Sequence, residues 1–336
     1  IGGRFNVLAT DIFKQVIGPQ NFEMGAVVGF VLLIPAVVAF MADRIIQGRQ
    51  VALLSARAVP LIPKPDSGRD NGLFIFCSVV GALIFVLLAM SVWASFVSRW
   101  PYNLALTLKN YNFGDYDTNG WSAYFNSVEM AAWTAVIGTI IVFVGAYLLE
   151  KTRSFGAGRG IAQFMAMLPM AVPGLVLGLA YIFFFNAKGN PLGFIYATMA
   201  ILVVNSVTHF YTVSHLTATT ALKQLDHEFE AVSASLKVSL LRTMTRVSVP
   251  VCLPAVLDIS IYLFVNAMTT VSAVIFLYST DTKLAAVTVI NMDESGFTAA
   301  AAAMAVAIVA TSATVKILHL LITRRLQGGT QAWRQR

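Results

Sequence analysis

Residues 227–254 read HEFEAVSASLKVSLLRTMTRVSVPVCLP, a polar island set between two long apolar runs. Apolar Phe229, Val232, Leu236 and Leu240 recur at helical spacing, while Glu228, Glu230, Lys237 and Arg242 take other faces, so the stretch predicts a short amphipathic helix. A second basic turn runs from Arg242 to Arg246, and Pro250 and Pro254 bracket the entry to the next apolar run.

Outward from this island the chain reads as membrane. Hydrophobic residues make up 57% of its 336 positions and charged residues 12%, and the mean hydropathy is +0.74. Apolar runs of about 20 residues recur, the length that crosses a bilayer as a helix. They predict an all-α, polytopic helical bundle of about seven transmembrane helices, at 25–42, 73–96, 127–149, 161–185, 192–210, 251–277 and 298–321. The net charge of +7 does not point to nucleic acid, because the basic residues are spread over loops and form no stripe with interleaved aromatics. Cys77 and Cys252 fall in or at the edge of spans, without metal-ligand spacing, and read as inert packing residues.

Lys and Arg set the orientation. The side holding the 43–72 linker, the 150–160 loop, the 214–250 loop and the tail carries 16 of them, and the other side 6. The positive-inside rule then puts the 227–254 island and the C-terminus in the cytoplasm and residues 1–24 outside. The chain opens on Ile1 and its first 24 residues lack the basic and apolar regions of a signal peptide, so we expect a piece of a longer protein.

The island, with its acidic, Ala- and Ser-rich helix and its later hydrophobic-Pro pair, resembles the EAA loop of the permease subunits of binding-protein-dependent type I ABC importers. The family pattern is Glu-x-Ala-Ala-x-x-Leu-Gly-Ala-Ser followed by Leu-Pro. Glu230 takes the acidic place, Val232 and Ser233 the small ones, Leu236 the Leu, Ser239 the Ser and Val249-Pro250 the Leu-Pro. Lys237 stands where the family has Gly, and Lys is costly at the positive φ that a sharp turn requires. The other reading of the loop is an ordinary solvated helix. The resemblance implies that Glu228, Glu230, Ala231, Val232, Ser235, Leu236, Lys237, Ser239 and Pro250 couple the bundle to an ABC ATPase dimer. It also implies a periplasmic substrate-binding protein and a second permease half as partners, and a bacterial inner membrane location. A second region, LPMAVPGLVLGLAYIF at 168–183, resembles the third-helix sequence of the same family.

A repeat joins the two ends of the chain. Residues 8–22, the 25–42 span and a basic exit at Gln47-Gly48-Arg49 parallel residues 284–297, an Ala-rich span and Arg325-Leu326-Gln327-Gly328. We therefore expect residues 1–42 to be a periplasmic segment and the last helix of a preceding permease half. Residues 43–72 would be a cytoplasmic linker and 73–336 a six-helix permease domain, as in fused permeases. The alternative is that any two apolar spans with basic exits look alike.

Polar residues inside spans are candidates for a translocation path, because each costs free energy unless it faces the bundle interior or water. They are Gln163, Asn205, Ser206, His209, Asp258, Asn266 and Thr269, with Asn205 and Asn266 nearest mid-span. Each could equally be hydrogen-bonding glue between helices. Pro169 and Pro173 each remove a backbone donor and predict a disturbed span, and Lys316 and His319 are expected to snorkel to the headgroups. The small residues Gly25 and Gly29, Gly174 and Gly178, and 299–303 predict close helix packing.

No catalytic constellation is present in the sequence. There is no GxxxxGK[ST] and no HExxH, and His227 beside Glu228 and Glu230 reads as a solvated side chain and not a metal ligand. The resemblance implies no cofactor in this chain, with ATP and Mg on the partner ATPase. Among family branches the segment at 282–308, FEAVSASLKVS at 229–239 and the tail at 330–334 resemble fused 2-aminoethylphosphonate permeases, with ferric-iron permeases as near relatives. An ion-coupled secondary transporter would need ionisable midplane residues in both halves, for which only Asp258 is a candidate.

Overall fold

A computed structural model describes residues 7–19, 21–49, 64–152, 156–225 and 228–330. The middle of the expected linker with Arg57, His227, and the tail from residue 331 lie outside the described residues. The helices are α1 (Leu8–Ile17), α2 (Phe22–Arg49), α3 (Ser67–Ser95), α4 (Trp121–Lys151), α5 (Gly156–Ala171), α6 (Gly174–Phe185) and α7 (Met199–His209). After these come α8 (Tyr211–Lys223), α9 (Glu228–Ser235), α10 (Leu240–Thr243), α11 (Val249–Val251), α12 (Leu253–Thr269), α13 (Ala285–Glu294) and α14 (Thr298–Thr330). A small hairpin, β1 (Val97–Arg99) and β2 (Asn103–Leu106), interrupts the all-α chain between α3 and α4.

The bundle is assembled around α4. Its buried positions include Ala123, Ser127, Ala131, Thr134, Ala135, Gly138, Val142 and Ala146, a stripe at three- and four-residue spacing made mostly of small side chains. Such a face lets neighbouring backbones approach closely, which is how helices gain packing energy where the surroundings are as apolar as the side chains. A Cβ on Gly138 would lie 2.8 Å from Leu263 Cδ1 and 3.1 Å from Val207 Cγ2, so α7 and α12 both press on this one glycine. Two apolar clusters lie along α4. One holds Met130, Ile201, Leu202, Met268 and Leu284, and the other holds Phe143, Tyr147, Leu222, Ile259 and Leu263.

α3 begins where Asp66 caps it, its Oδ1 accepting from the N–H groups of Gly68 at 2.9 Å and Arg69 at 3.1 Å. Its apolar side chains are exposed until Ala94 and Ser95, as expected of a helix whose solvent is lipid. Cys77 is exposed on this helix and Cys252 is buried, so only the latter packs as expected.

The polytopic all-α bundle is present, and the outlines of several expected spans differ. Among the described residues four helices are long and apolar enough to cross a membrane: Phe22–Ala39, Ser67–Ser95, Trp121–Lys151 and Thr298–Arg324. Two bent pairs raise the number to six. The 161–185 run bends by 113° between α5 and α6. Pro169 stays inside α5, and the break falls at Val172-Pro173, where Pro173 adopts ψ 141° and cannot continue the helix. The 192–210 run starts in turns after Gly189, Asn190 and Pro191, leaving an apolar helix of only 11 residues, with α8 following directly.

The 251–277 run turns by 80° at its start and stops being helical at Thr269. Residues 270–284 are irregular, yet Ala273, Val274, Ile275 and Leu277 are buried. Irregular backbone survives in an apolar surrounding only where protein satisfies it. Asn205 Nδ2 donates to the Ala273 carbonyl at 2.7 Å, and α6 brings glycines against the backbone of the same residue. A Cβ on Gly178 would stand 2.7 Å from that carbonyl oxygen, and one on Gly174 3.1 Å from the Ala273 nitrogen. At the far end of the stretch α4 and the turn before it hold the chain. Asn126 Nδ2 donates to the carbonyls of Asp281 and Lys283, Ser127 Oγ accepts from Ala285 N–H, and Asp117 pairs with Lys283.

These contacts give a test. Gly178→Val should lower stability by about 1–3 kcal/mol, because the clash is with backbone that cannot rotate away. Gly29→Ala, whose Cβ would sit 3.4 Å from Val176 Cγ2, should leave it unchanged or raise it. Thermal unfolding of the full-length protein in detergent reads both.

Candidate functional site: the α9 helix and two cavities

α9 forms where the sequence expects the amphipathic helix, and it ends in a Schellman turn. The Val238 N–H reaches back to the Ser233 carbonyl at 2.9 Å and the Lys237 N–H to that of Ala234 at 3.1 Å. Lys237 sits at φ +53°, in the left-handed region that the family's Gly would occupy without strain. The turn is therefore made despite the substitution, at a conformational cost carried by one residue.

The apolar side chains of α9 and the turn after it are uncovered, with exposures of 44% at Phe229, 56% at Val232 and 69% at Leu236. Ala231, Ser235, Ser239 and Pro250 are exposed as well. Glu230 points the other way. Its Oε1 lies 2.7 Å from Lys151 Nζ in the last turn of α4, and the Lys151 side chain is only 2% exposed. The residue before it, Glu150, reaches Arg159 Nη2 of α5 at 3.5 Å. After α10, a π-helical turn at Met244–Ser248 carries the chain into Pro250, which has no N–H to offer a regular helix.

The structure separates the path candidates. Asn205 and Ser206 are fully buried in the α7 packing; the Asn205 amide holds Ala273, and Ser206 Oγ lies 3.9 Å from Met130 Sδ. Both lie inside the bundle, and neither lines the two cavities described below. Gln163 is half-buried on α5 and lines neither cavity, and His209 is half-buried against Phe210. Asn266 and Thr269 do share a wall. With Asp258, Thr217, Ser312 and Lys316 they line a cavity of about 710 Å³ between α8, α12 and α14. His319 does not snorkel; it is 8% exposed and its Nε2 lies 3.4 Å from Asp258 Oδ1. A second, larger cavity of about 1300 Å³ lies between α4, α5 and α7, apolar in its middle, with Glu129 and Arg159 among its lining.

Sequence reading missed Lys151, Glu150 and Arg159. The partner of Lys151 lies far along the chain and the Glu150–Arg159 pair spans the break between α4 and α5, and only the basic and acidic residues at the exit of an apolar run hinted at them. Among the described residues no group of three or more His, Cys, Asp or Glu could hold a metal ion.

The strained turn offers its own test. Lys237→Gly should stabilise the Schellman turn by about 1 kcal/mol, the relief of left-handed strain less the added chain entropy of Gly. Hydrogen exchange at the Leu236 to Val238 amides should slow by a few fold; faster exchange would mean the turn is held by something else.

Residues 141–328 match the family described as "Binding-protein-dependent transport system inner membrane component". The ferric transport system permease protein FbpB of Actinobacillus pleuropneumoniae is 30% identical over 88% of this chain and 43% of its own length. A putative ferric transport system permease protein, FbpB 1, of Haemophilus influenzae is 32% identical over 84% of this chain and 45% of its own. The chain thus spans less than half the length of these curated relatives. In fold, a bacterial ABC transporter involved in the import of the acidic polysaccharide alginate superposes with a TM-score of 0.63 at 12% identity, covering 77% of this chain and 96% of that one. An exposed amphipathic helix in the EAA-like loop, standing on a bundle of this fold, accords with the match over more than half of the sequence, and the chain belongs to the inner membrane components of binding-protein-dependent transport systems, the type I ABC importer permeases, as a relative of the ferric permeases.

Proposed function

We propose that this chain is part of the permease of an ATP-driven importer that receives ferric iron from a periplasmic binding protein and passes it to the cytoplasm. The observation that carries the reading is the uncovered apolar face of α9, with Phe229, Val232 and Leu236 free to enter a groove on an ABC ATPase subunit while Glu230 is tied to the bundle. In this reading α9 and the C-terminus lie in the cytoplasm, and ATP and Mg are held by the partner. The expectation of 2-aminoethylphosphonate gives way to ferric iron, the other substrate of the two resemblances, because three relatives matched over more than four-fifths of this chain are ferric permeases and none supports a phosphonate. With no three-ligand cluster among the described residues, selectivity falls to the binding protein, and the cavity with Asp258, Asn266 and Thr269 serves as passage.

The chain ends support a fused arrangement. α1 and α2, a helix of 10 residues followed by one of 28, repeat the build of α13 and α14, with 10 and 33. α1 and α2 pack through Ile12, Val16 and Val28 on Leu175, Val176 and Leu179 of α6. We read them as the end of a preceding permease half, meeting residues 73–336 at α6.

Uptake of radio-iron by cells expressing the full-length protein with its binding protein should require an ATPase subunit competent in hydrolysis and should survive collapse of the proton gradient. Labelled 2-aminoethylphosphonate should not accumulate. Iron uptake that persists without the ATPase, or that stops when the gradient collapses, would overturn the importer reading in favour of an ion-coupled carrier.

A further inference from the structure

We infer that Lys151 is the positioning residue of the α9 helix, and that the Lys151–Glu230 ion pair is the joint through which α9 moves α4. This rests on the reading of α9 as the ATPase-docking helix. The family pattern supplies an acidic residue at position 230 and invites a partner on another subunit. The structure meets that charge within the chain, 79 positions earlier in the sequence, at 2.7 Å.

Burial gives the contact its importance. An exposed ion pair contributes little, since water screens it and two long side chains must be held still. Here the ammonium is 2% exposed and the carboxylate side chain 26%, so the lysine end of the pair is shut off from water while the glutamate end keeps part of its hydration. Removing one partner leaves the other charge in a poorly solvated place, which is far more disruptive than losing a surface pair.

Location does the rest. Lys151 closes the last turn of α4, the helix against which α7, α8 and α12 pack and whose opposite end clamps the 281–285 segment through Asn126 and Ser127. Its neighbour Glu150 holds Arg159, a wall residue of the larger cavity, so one turn of α4 is tied to α9 on one side and to α5 on the other. Few apolar contacts tie α9 to the bundle, because its apolar side chains face outward. A pull on α9 reaches the bundle along the chain at both ends of the helix, towards α8 and through the turn at Lys237, and through this pair, which leads directly to α4.

The test uses the full-length protein with its ATPase in four forms: Lys151→Met, Lys151→Arg, Glu230→Lys, and the exchange Lys151→Glu with Glu230→Lys. A spin label at Ser235, on the exposed side of α9, reads the position of the helix without reference to substrate. Lys151→Met and Glu230→Lys should each mobilise the label and lower radio-iron uptake by roughly tenfold, while ATPase co-purification stays within about twofold of wild type. Lys151→Arg should keep both signals near wild type, and the exchange should regain at least roughly half of the lost uptake and immobilise the label again. An exchange no better than the worse single change, or a Lys151→Met protein with an immobile label and normal uptake, would overturn the inference. Loss of ATPase binding in Glu230→Lys with full retention in Lys151→Met would also overturn it, by placing the carboxylate at the subunit interface. Failure of the wild-type chain to bind the ATPase would strike the proposed function instead.

Discussion

Close approach of helices along the small-residue face of α4 is the constraint on which this structure depends. Because lipid is as apolar as Leu, burial alone gives the helices no reason to associate, and contact between backbones must supply it. Gly138 admits Val207 and Leu263, and Gly145 admits Tyr211, whose hydroxyl oxygen would stand 2.7 Å from an added Cβ. With both apolar clusters arranged along it, α4 becomes a beam of about 46 Å, at 1.5 Å per residue over its 31 residues. One end holds the 281–285 segment, where the irregular stretch enters α13, by amide and hydroxyl hydrogen bonds. The other ends in Glu150 and Lys151, where charged side chains reach α5 and α9. A close-packed helix joins the two ends, so the groups held at each are linked through one element of low compressibility.

The long helices were legible in the sequence and the irregular parts were not. The 127–149 run appears as Trp121–Lys151, because composition and length suffice to specify a membrane helix. The break near Pro173 could be anticipated from the missing donor. Nothing local marks the end of α12 at Thr269, since residues 270–277 are as apolar as those before them. What makes that stretch irregular is supplied from elsewhere, by Asn205 and by the bare backbone at Gly174 and Gly178. For the same reason Asn205, read as a path candidate from its position in an apolar run, is buried with its Nδ2 given to Ala273, while its Oδ1 has no hydrogen-bond partner among the described residues. Which partner a polar side chain in a span meets is decided by the fold and not by its place in the run.

The loop shows the same division. Helical spacing located α9, and the family pattern drew attention to Glu230 and Lys237. The sequence marked Lys237 as costly in a sharp turn, and the structure nevertheless places it at φ +53° with the Schellman hydrogen bonds kept. It could not show that Glu230 would face Lys151, because an ion pair across 79 positions has no periodicity to betray it. The result is a two-faced element: apolar side chains turned outward, a carboxylate turned inward to a buried ammonium. That division of faces suits a helix that must bind one protein while remaining fixed to another part of its own.

The most direct measurement is an electron cryo-microscopy structure of the full-length protein with its ATPase, solved without nucleotide and with a trapped nucleotide. We predict Phe229, Val232 and Leu236 in contact with the ATPase in both states, with the Lys151–Glu230 pair intact and the Lys151 end of α4 displaced together with α9. An α9 facing solvent, or a Glu230 bound to the ATPase with Lys151 left apart, would contradict this account.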